Sequence, residues 1–297
     1  MNRRNFVKLS SAAGLASCLP ISCLSMQSST KFKLGYQLFS IRDEMAKDPI
    51  ATLKALKKMG YQDFEHFGFD ADKASYYGIP TKEFKKMLDD LELTFSSGHY
   101  PFSDYLLKSD DELKRYTDKC IKGALEMSSN YITWPWIAPS QRTVDGFKRL
   151  VSKLNMIGEQ VSKAGLGFAY HNHGYEFDDL DGTTGYDIIL NETDTSTVKL
   201  QLDMYWVMHS ANATPRELIA KQPGRYVMWH IKDMHKTSRD YTELGNGSIN
   251  YHDIMPDPTT SGLEFYYIEQ GGNYTENSLK SAETSANYFK EQLAQYL

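Results

Sequence analysis

From Phe32 onward the chain repeats one arrangement: a short apolar run ends on a polar group, and a segment of helical period follows. No other feature constrains the fold as much, because a parallel barrel builds its site from the ends of successive strands. The fullest example is Phe168-Ala-Tyr-His-Asn-His-Gly-Tyr-Glu-Phe177. Read as a strand, it sets His171 and His173 two residues apart, so both imidazoles face one cavity. Val198–Asp203, Tyr226–Asp233 and Leu263–Glu269 have the same form. Singly, each of these histidines or carboxylates reads most simply as a satisfied structural side chain. Four in register read as a site.

The other strand-like stretches are 32–40, 61–67, 93–99 and 130–136, with 199–205, 226–231 and 265–269 completing the set around the histidine stretch. Helices are expected over 48–59, 81–91, 110–128, 143–164, 183–190, 214–220 and 276–293. Asp48 caps the first of these, Pro49 fits its first turn and Gly60 stops it; Thr81 is the expected cap of the second. The seventh unit is the weakest, with only a short helical turn at 251–255. Eight strand–helix units without a linker-like break predict one (β/α)8 TIM barrel over residues 31–297. A doubly wound open sheet is the alternative, but no glycine-rich phosphate loop follows the first strand.

Residues 1–30 are set apart as an export leader. Asn2-Arg-Arg-Asn-Phe-Val-Lys8 resembles a twin-arginine signal, and a short run of small residues follows that cannot span a bilayer. Leu15-Ala-Ser-Cys18 resembles a lipoprotein box, and Cys23 is a weaker second candidate because Pro20 sits where the box takes leucine. Plain cleavage without lipid is the simpler alternative. The expectation is an exported, periplasmic protein, with any membrane attachment made through an N-terminal lipid. Cys120 is then the only cysteine left in the mature domain, which excludes an intrachain disulfide and makes it a buried, apolar-like side chain. A net charge of −5 and the absence of a basic, aromatic-interleaved block give no reason to expect nucleic acid as a partner. The oligomeric state is left open.

The candidate ligands of one divalent metal are His171, Asp203, His230 and Glu269, all at expected strand ends, with His173 as a further ligand or a substrate contact. A mixed imidazole and carboxylate set suits Mn, Co, Fe or Zn. The signal lies in strand placement, since no compact motif such as HExxH is present. Lys232 follows His230 by two and faces the same cavity, where an ammonium can neutralise a developing oxyanion; its structural reading is a solvated rim residue. Glu65 and His99 end strands two and three as candidate acid, base or hydroxyl contacts, and Glu176 is a further acid–base candidate at the rim. Gln37 can bond a polyol. Trp134, Trp136 and Tyr205 offer flat faces to a sugar ring, whereas Trp206 reads as packing.

Six stretches carry a family resemblance: Leu34-Gly-Tyr-Gln-Leu-Phe-Ser40, Tyr170-His-Asn-His-Gly-Tyr-Glu-Phe177, Leu202-Asp-Met-Tyr-Trp206, His230-Ile-Lys-Asp233, Leu244-Gly-Asn-Gly-Ser-Ile249 and Ile268-Glu-Gln-Gly271. Together they resemble the sugar isomerase/epimerase superfamily with a xylose-isomerase-like barrel, over about residues 32–293. The resemblance implies a divalent metal held by strands five to eight, which by position are His171, Asp203, His230 and Glu269. Many epimerases of this group carry a strand-five glutamate that exchanges a proton across the substrate with the strand-eight glutamate. Here His171 takes that position and breaks the pair. Inosose dehydratases and 3-keto-glycoside lyases look similar in using the scaffold for elimination. The resemblance therefore implies a metal-dependent enzyme acting on a keto sugar or polyol through a metal-bound enediolate, leaning to lyase chemistry on 3-keto-glycosides. Two other classes stay open: an endonuclease-type metal phosphodiesterase on the same barrel, and a non-catalytic sugar-binding barrel.

Overall fold

Polar caps set the limits of the helices, and the caps are written in the sequence. The computed structural model describes residues 32–297; the expected leader, with its twin arginines and Cys18, lies outside the described residues. Asp48 accepts from Ala51 N at 2.9 Å and starts α1, Pro49–Lys58, with proline in its first turn. Ser109 and Glu112 form a capping box on α3, Asp110–Met127, after α2, Thr81–Asp90. Thr143 caps α4, Val144–Lys163, Thr184 caps α5, Gly185–Glu192, and a Thr214–Glu217 box starts α6, Pro215–Lys221. Thr81 departs from expectation. It is the first residue of α2 rather than its cap, and its hydroxyl donates instead to the Ala74 carbonyl at 2.7 Å.

Between the helices run eight parallel strands: β1 Gly35–Gln37, β2 Asp63–His66, β3 Thr94–His99, β4 Tyr131–Trp134, β5 Gly167–His171, β6 Lys199–Asp203, β7 Met228–Ile231 and β8 Phe265–Ile268. Each pairs with its neighbours in chain order, and β8 closes on β1 through Ile268 and Tyr36. The fold is thus one closed (β/α)8 barrel, as the alternation predicted. Its helices bury their apolar stripes against it: Leu53 and Leu56 of α1, Phe84 and Leu88 of α2, and Leu150, Leu154 and Ile157 of α4 are all inaccessible or nearly so. Each such burial contributes roughly 1.5–3 kcal/mol. Cys120 of α3 is buried and unpaired among them.

Several strands stop short of their expected ends, because a polar group at the end caps the next turn. Gln37 accepts from Phe39 N at 3.0 Å and starts a 3-10 turn, Leu38–Ile41. Asp203 accepts from Trp206 N at 3.1 Å and starts a short helix, Met204–Ser210, so Tyr205 and Trp206 are helical. His173 and Trp136 likewise fall beyond β5 and β4. After β7 come a small hairpin pairing Asp233–Met234 with Tyr241–Thr242 and two short helices, Tyr251–Ile254 and Pro258–Ser261. The closing helix α7, Ser278–Tyr288, passes into a π turn over Phe289–Leu293. Among the described residues no helix is long and apolar enough to cross a membrane.

Candidate metal and active site

A buried carboxylate organises the upper barrel. Glu65, inaccessible on β2, receives five polar groups: Gln37 Nε2 at 2.6 Å, Ser97 Oγ and Gln201 Nε2 at 2.7 Å, and the ring nitrogens of His230 at 2.6 Å and His99 at 3.0 Å. Burial alone would raise its carboxyl, but His99 and His230 hold it well below the ordinary carboxylate range. Register brings these groups together. Gln37 pairs beside Glu65, and a bulge at Phe64/Glu65 sets Glu65 against Ser97.

Above Glu65, His230 is held at both ring nitrogens, with Nε2 on Glu65 and Nδ1 2.5 Å from Glu269 Oε2. Burial would lower its pKa, but the two carboxylates lift it to about 9. Lys232 Nζ lies 2.6 Å from Asp203 Oδ2 and 2.8 Å from Glu269 Oε2. Burial opposes its charge and the two carboxylates more than restore it, while Lys232 and His230 together hold Glu269 ionised against its own burial. His171 Nε2 lies 3.7 Å from Asp203 Oδ2, and its Nδ1 is buried without a hydrogen-bond partner. Burial, and then the neighbouring His230, keep it neutral.

This donor set fits a divalent ion. The ligand atoms of Asp203, His230 and Glu269 lie within 4.8 Å of one another, as do those of His99, His171 and His230. The unpartnered His171 nitrogen is the kind of buried atom that a ligand satisfies. Glu65 behind His230 gives the carboxylate–histidine pairing that orients an imidazole toward a metal.

Glu269 and His171 open onto a cavity of about 390 Å³, while Asp203 and His230 are fully buried. His99, His171, His173, Lys232 and Glu269 face into it, and Phe39, Phe67, Trp136 and Tyr241 form its walls. His173 therefore shares a cavity with His171, although it lies beyond the strand; its rings stand 4.9 Å from those of His171. Burial, then Lys232, lowers its pKa to about 3, and its Nδ1 has no partner.

Other expected site residues are placed elsewhere. Glu65 and Gln37 are buried beneath the floor. Glu176 is not at the rim: it is inaccessible behind β5, accepting from Tyr170 Oη at 2.7 Å and His173 N at 2.8 Å. Trp134 is buried against Phe102, and its Nε1 donates to the Trp136 carbonyl. Tyr205 is buried, with its hydroxyl donating to the Arg239 carbonyl at 2.8 Å. Sequence reasoning missed Gln201, Tyr241 and the exposed ring of Phe39. Gln201 stands two residues before Asp203 on β6, so strand period could have found it; Tyr241 sits in an irregular loop that carries no such signal.

Asp233 explains the Leu244–Ile249 stretch. Its carboxylate accepts from Met234 N, Gly245 N, Gly247 N and Ile249 N at 2.8–3.2 Å. Next to it, Tyr251 Oη clamps the Lys232 main chain, accepting from its N at 3.0 Å and donating to its carbonyl at 2.6 Å. The loop thus fixes the backbone that carries the floor lysine.

Comparison with known proteins agrees with this architecture. A sugar phosphate isomerase/epimerase from Parabacteroides distasonis is 27% identical, and the match covers 93% of this chain and 99% of that one at a TM-score of 0.78. An L-ribulose 3-epimerase (16% identical, 89% and 95% covered, TM-score 0.66) and the IOLI protein solved with a zinc atom (15%, 90% and 99%, 0.68) share the fold. A search of curated proteins finds no match. The family model for the xylose isomerase-like TIM barrel matches residues 53–262, most of the chain. The chain belongs to the xylose isomerase-like TIM barrel family.

Proposed function

We propose that the protein is a metal-dependent enzyme acting on a keto sugar or related polyol, and that its chemistry is elimination on a 3-keto-glycoside. The observation that carries the reading is the buried Asp203–His230–Glu269 group, of which Glu269, with His171, lines an aromatic-walled cavity. His171, Asp203, His230 and Glu269 would hold one divalent ion. Mn, Co, Fe and Zn all suit this donor set, and the ion supplies Lewis-acid polarisation of a substrate carbonyl.

The chain's own groups would do the rest. His173, neutral and with Nδ1 free, is placed to take the proton next to the carbonyl, and His99 lines the same cavity. Lys232 provides positive charge at the floor, where an oxyanion develops. The walls formed by Trp136 and Tyr241 suit ring faces and exclude water. An unphosphorylated substrate fits: among the described residues no arginine lines the cavity. His171 in place of the strand-five glutamate that many epimerases of the group carry removes the symmetric proton exchange and favours loss of a β-oxygen instead.

The test is incubation of the metal-supplemented protein with 3-keto-glycosides and ketoses in D2O. Released aglycone and an unsaturated keto sugar are expected, with Asp203→Ala losing the bound ion and His173→Ala slowing turnover by ~10²–10⁴-fold. Solvent deuterium in an intact glycoside would establish epimerisation instead. No ion by elemental analysis and no activation by added metal would sink the mechanism.

A further inference from the structure

The cavity floor holds a cation of the chain's own at the point where the candidate ligands converge. Lys232 Nζ contacts Asp203 Oδ2 and Glu269 Oε2 at 2.6 and 2.8 Å. These same two oxygens face the histidines: Asp203 Oδ2 lies 3.7 Å from His171 Nε2, and Glu269 Oε2 lies 2.5 Å from His230 Nδ1. We propose that Lys232 is an internal counter-ion that competes with the divalent ion for Asp203 and Glu269, so that metal uptake drives its ammonium off this pair and into the cavity, toward the substrate.

The argument is steric and electrostatic. A metal bonds carboxylate oxygen at roughly 2.0–2.2 Å. An ion on both oxygens would therefore stand within a few ångströms of an ammonium that bridges them, and like charges so close in a water-poor site repel strongly. The carboxylates need one cation or the other, because both are almost completely buried and unpaired buried charge is costly. The lysine therefore holds the site in shape before the metal arrives.

It also has somewhere to go. Its side chain borders the open cavity, and the face of the Tyr241 ring lies 5.7 Å from Nζ, within range of a cation–π contact. The clamp of Tyr251 on the Lys232 main chain confines the movement to the flexible four-carbon stem.

The inference rests on the metal reading above, and its test separates the two. Zinc affinity of the full chain is measured against a chromophoric chelator for the wild type and Lys232→Met. The variant should bind zinc about tenfold tighter or more, since it loses a competitor and gains net negative charge. Zinc should also raise its melting temperature more than that of the wild type. If the variant does not fold, the wild type carries the test: modification of Lys232 by an amine-reactive reagent, read by mass spectrometry, should speed up several-fold on zinc addition. Equal or weaker zinc affinity in the variant, or unchanged or slower modification with zinc, overturns the proposal alone. Zinc taken up by neither form overturns the metal reading and this proposal with it.

Discussion

Glu65 and Glu176 are both inaccessible carboxylates, and their surroundings shift them in opposite directions. Glu65 has two imidazoles and three neutral donors on it, which hold it ionised despite its burial. Glu176 accepts from Tyr170 Oη and the His173 backbone N–H, and burial lifts its pKa to about 7 from the ordinary 4.5. Because its folded pKa is raised, the associated stability is fully present below pH ~4.5 and is lost as the pH rises through about 7. The size of the loss is about 3 kcal/mol. Buried histidines act in the opposite sense over part of this window: His66 and His173, each lowered to about 3 by burial first, favour the fold as pH rises toward 6.5. The total slope therefore does not isolate Glu176, but a difference does. Glu176→Gln should cost a roughly constant amount at His173 N, and the wild type should lose up to about 3 kcal/mol relative to it between pH 4.5 and 7.5. Urea unfolding of both forms at the two pH values checks this. A pH-independent difference would mean that Glu176 is ionised throughout.

The segment Leu244–Ile249 shows how an element can be fixed by one carboxylate. A Cβ on Gly247 would lie 2.0 Å from Asp233 Oδ1 and 2.6 Å from the Met234 carbonyl, so any side chain there must push the loop off its acceptor. Gly247→Ala is expected to cost about 2 kcal/mol, and amide exchange over 243–249 should quicken more than in the barrel strands. Unchanged stability with unchanged exchange would show that the loop has room to adapt. The same loop illustrates what the sequence left hidden. Its glycines were legible as a motif, but their purpose, to bring three N–H groups onto Asp233, depends on a contact across more than ten residues that no local pattern encodes. Strand existence and order were legible because apolar runs and caps recur; strand ends were not, because Gln37 and Asp203 double as caps of the following turn. Tyr205 therefore lies on a helix rather than at a strand end, and of Trp134 and Trp136, both expected to face the substrate, Trp136 lines the cavity while Trp134 is buried.

Across the whole molecule, the barrel separates two jobs that the sequence blends. The N-terminal end of the strands is closed by a hydrogen-bonded plug in which Asp63 accepts from Thr94 Oγ1 and from the Ser96 hydroxyl, and Ser96 meets Tyr267 Oη at 2.5 Å. The opposite end carries the histidines and carboxylates of the cavity. Among the described residues no helix is long and apolar enough to cross a membrane. We propose that the protein is exported, as its first 30 residues suggest, and that a lipid on the leader cysteine attaches it to the membrane. One acyl chain binds a bilayer only weakly, whereas two or more give a stable anchor, so a lipidated form should fractionate almost entirely with membranes. Cys18, preceded by Leu15-Ala-Ser, is the proposed site. Cys18→Ala should therefore move the protein to the soluble fraction and abolish metabolic palmitate labelling. Cys23→Ala, whose upstream Pro20 does not suit the box, should change neither. A parent protein that takes up no label and is soluble from the start would leave plain cleavage as the processing route, and retention of label in Cys18→Ala but not Cys23→Ala would move the anchor to the second cysteine.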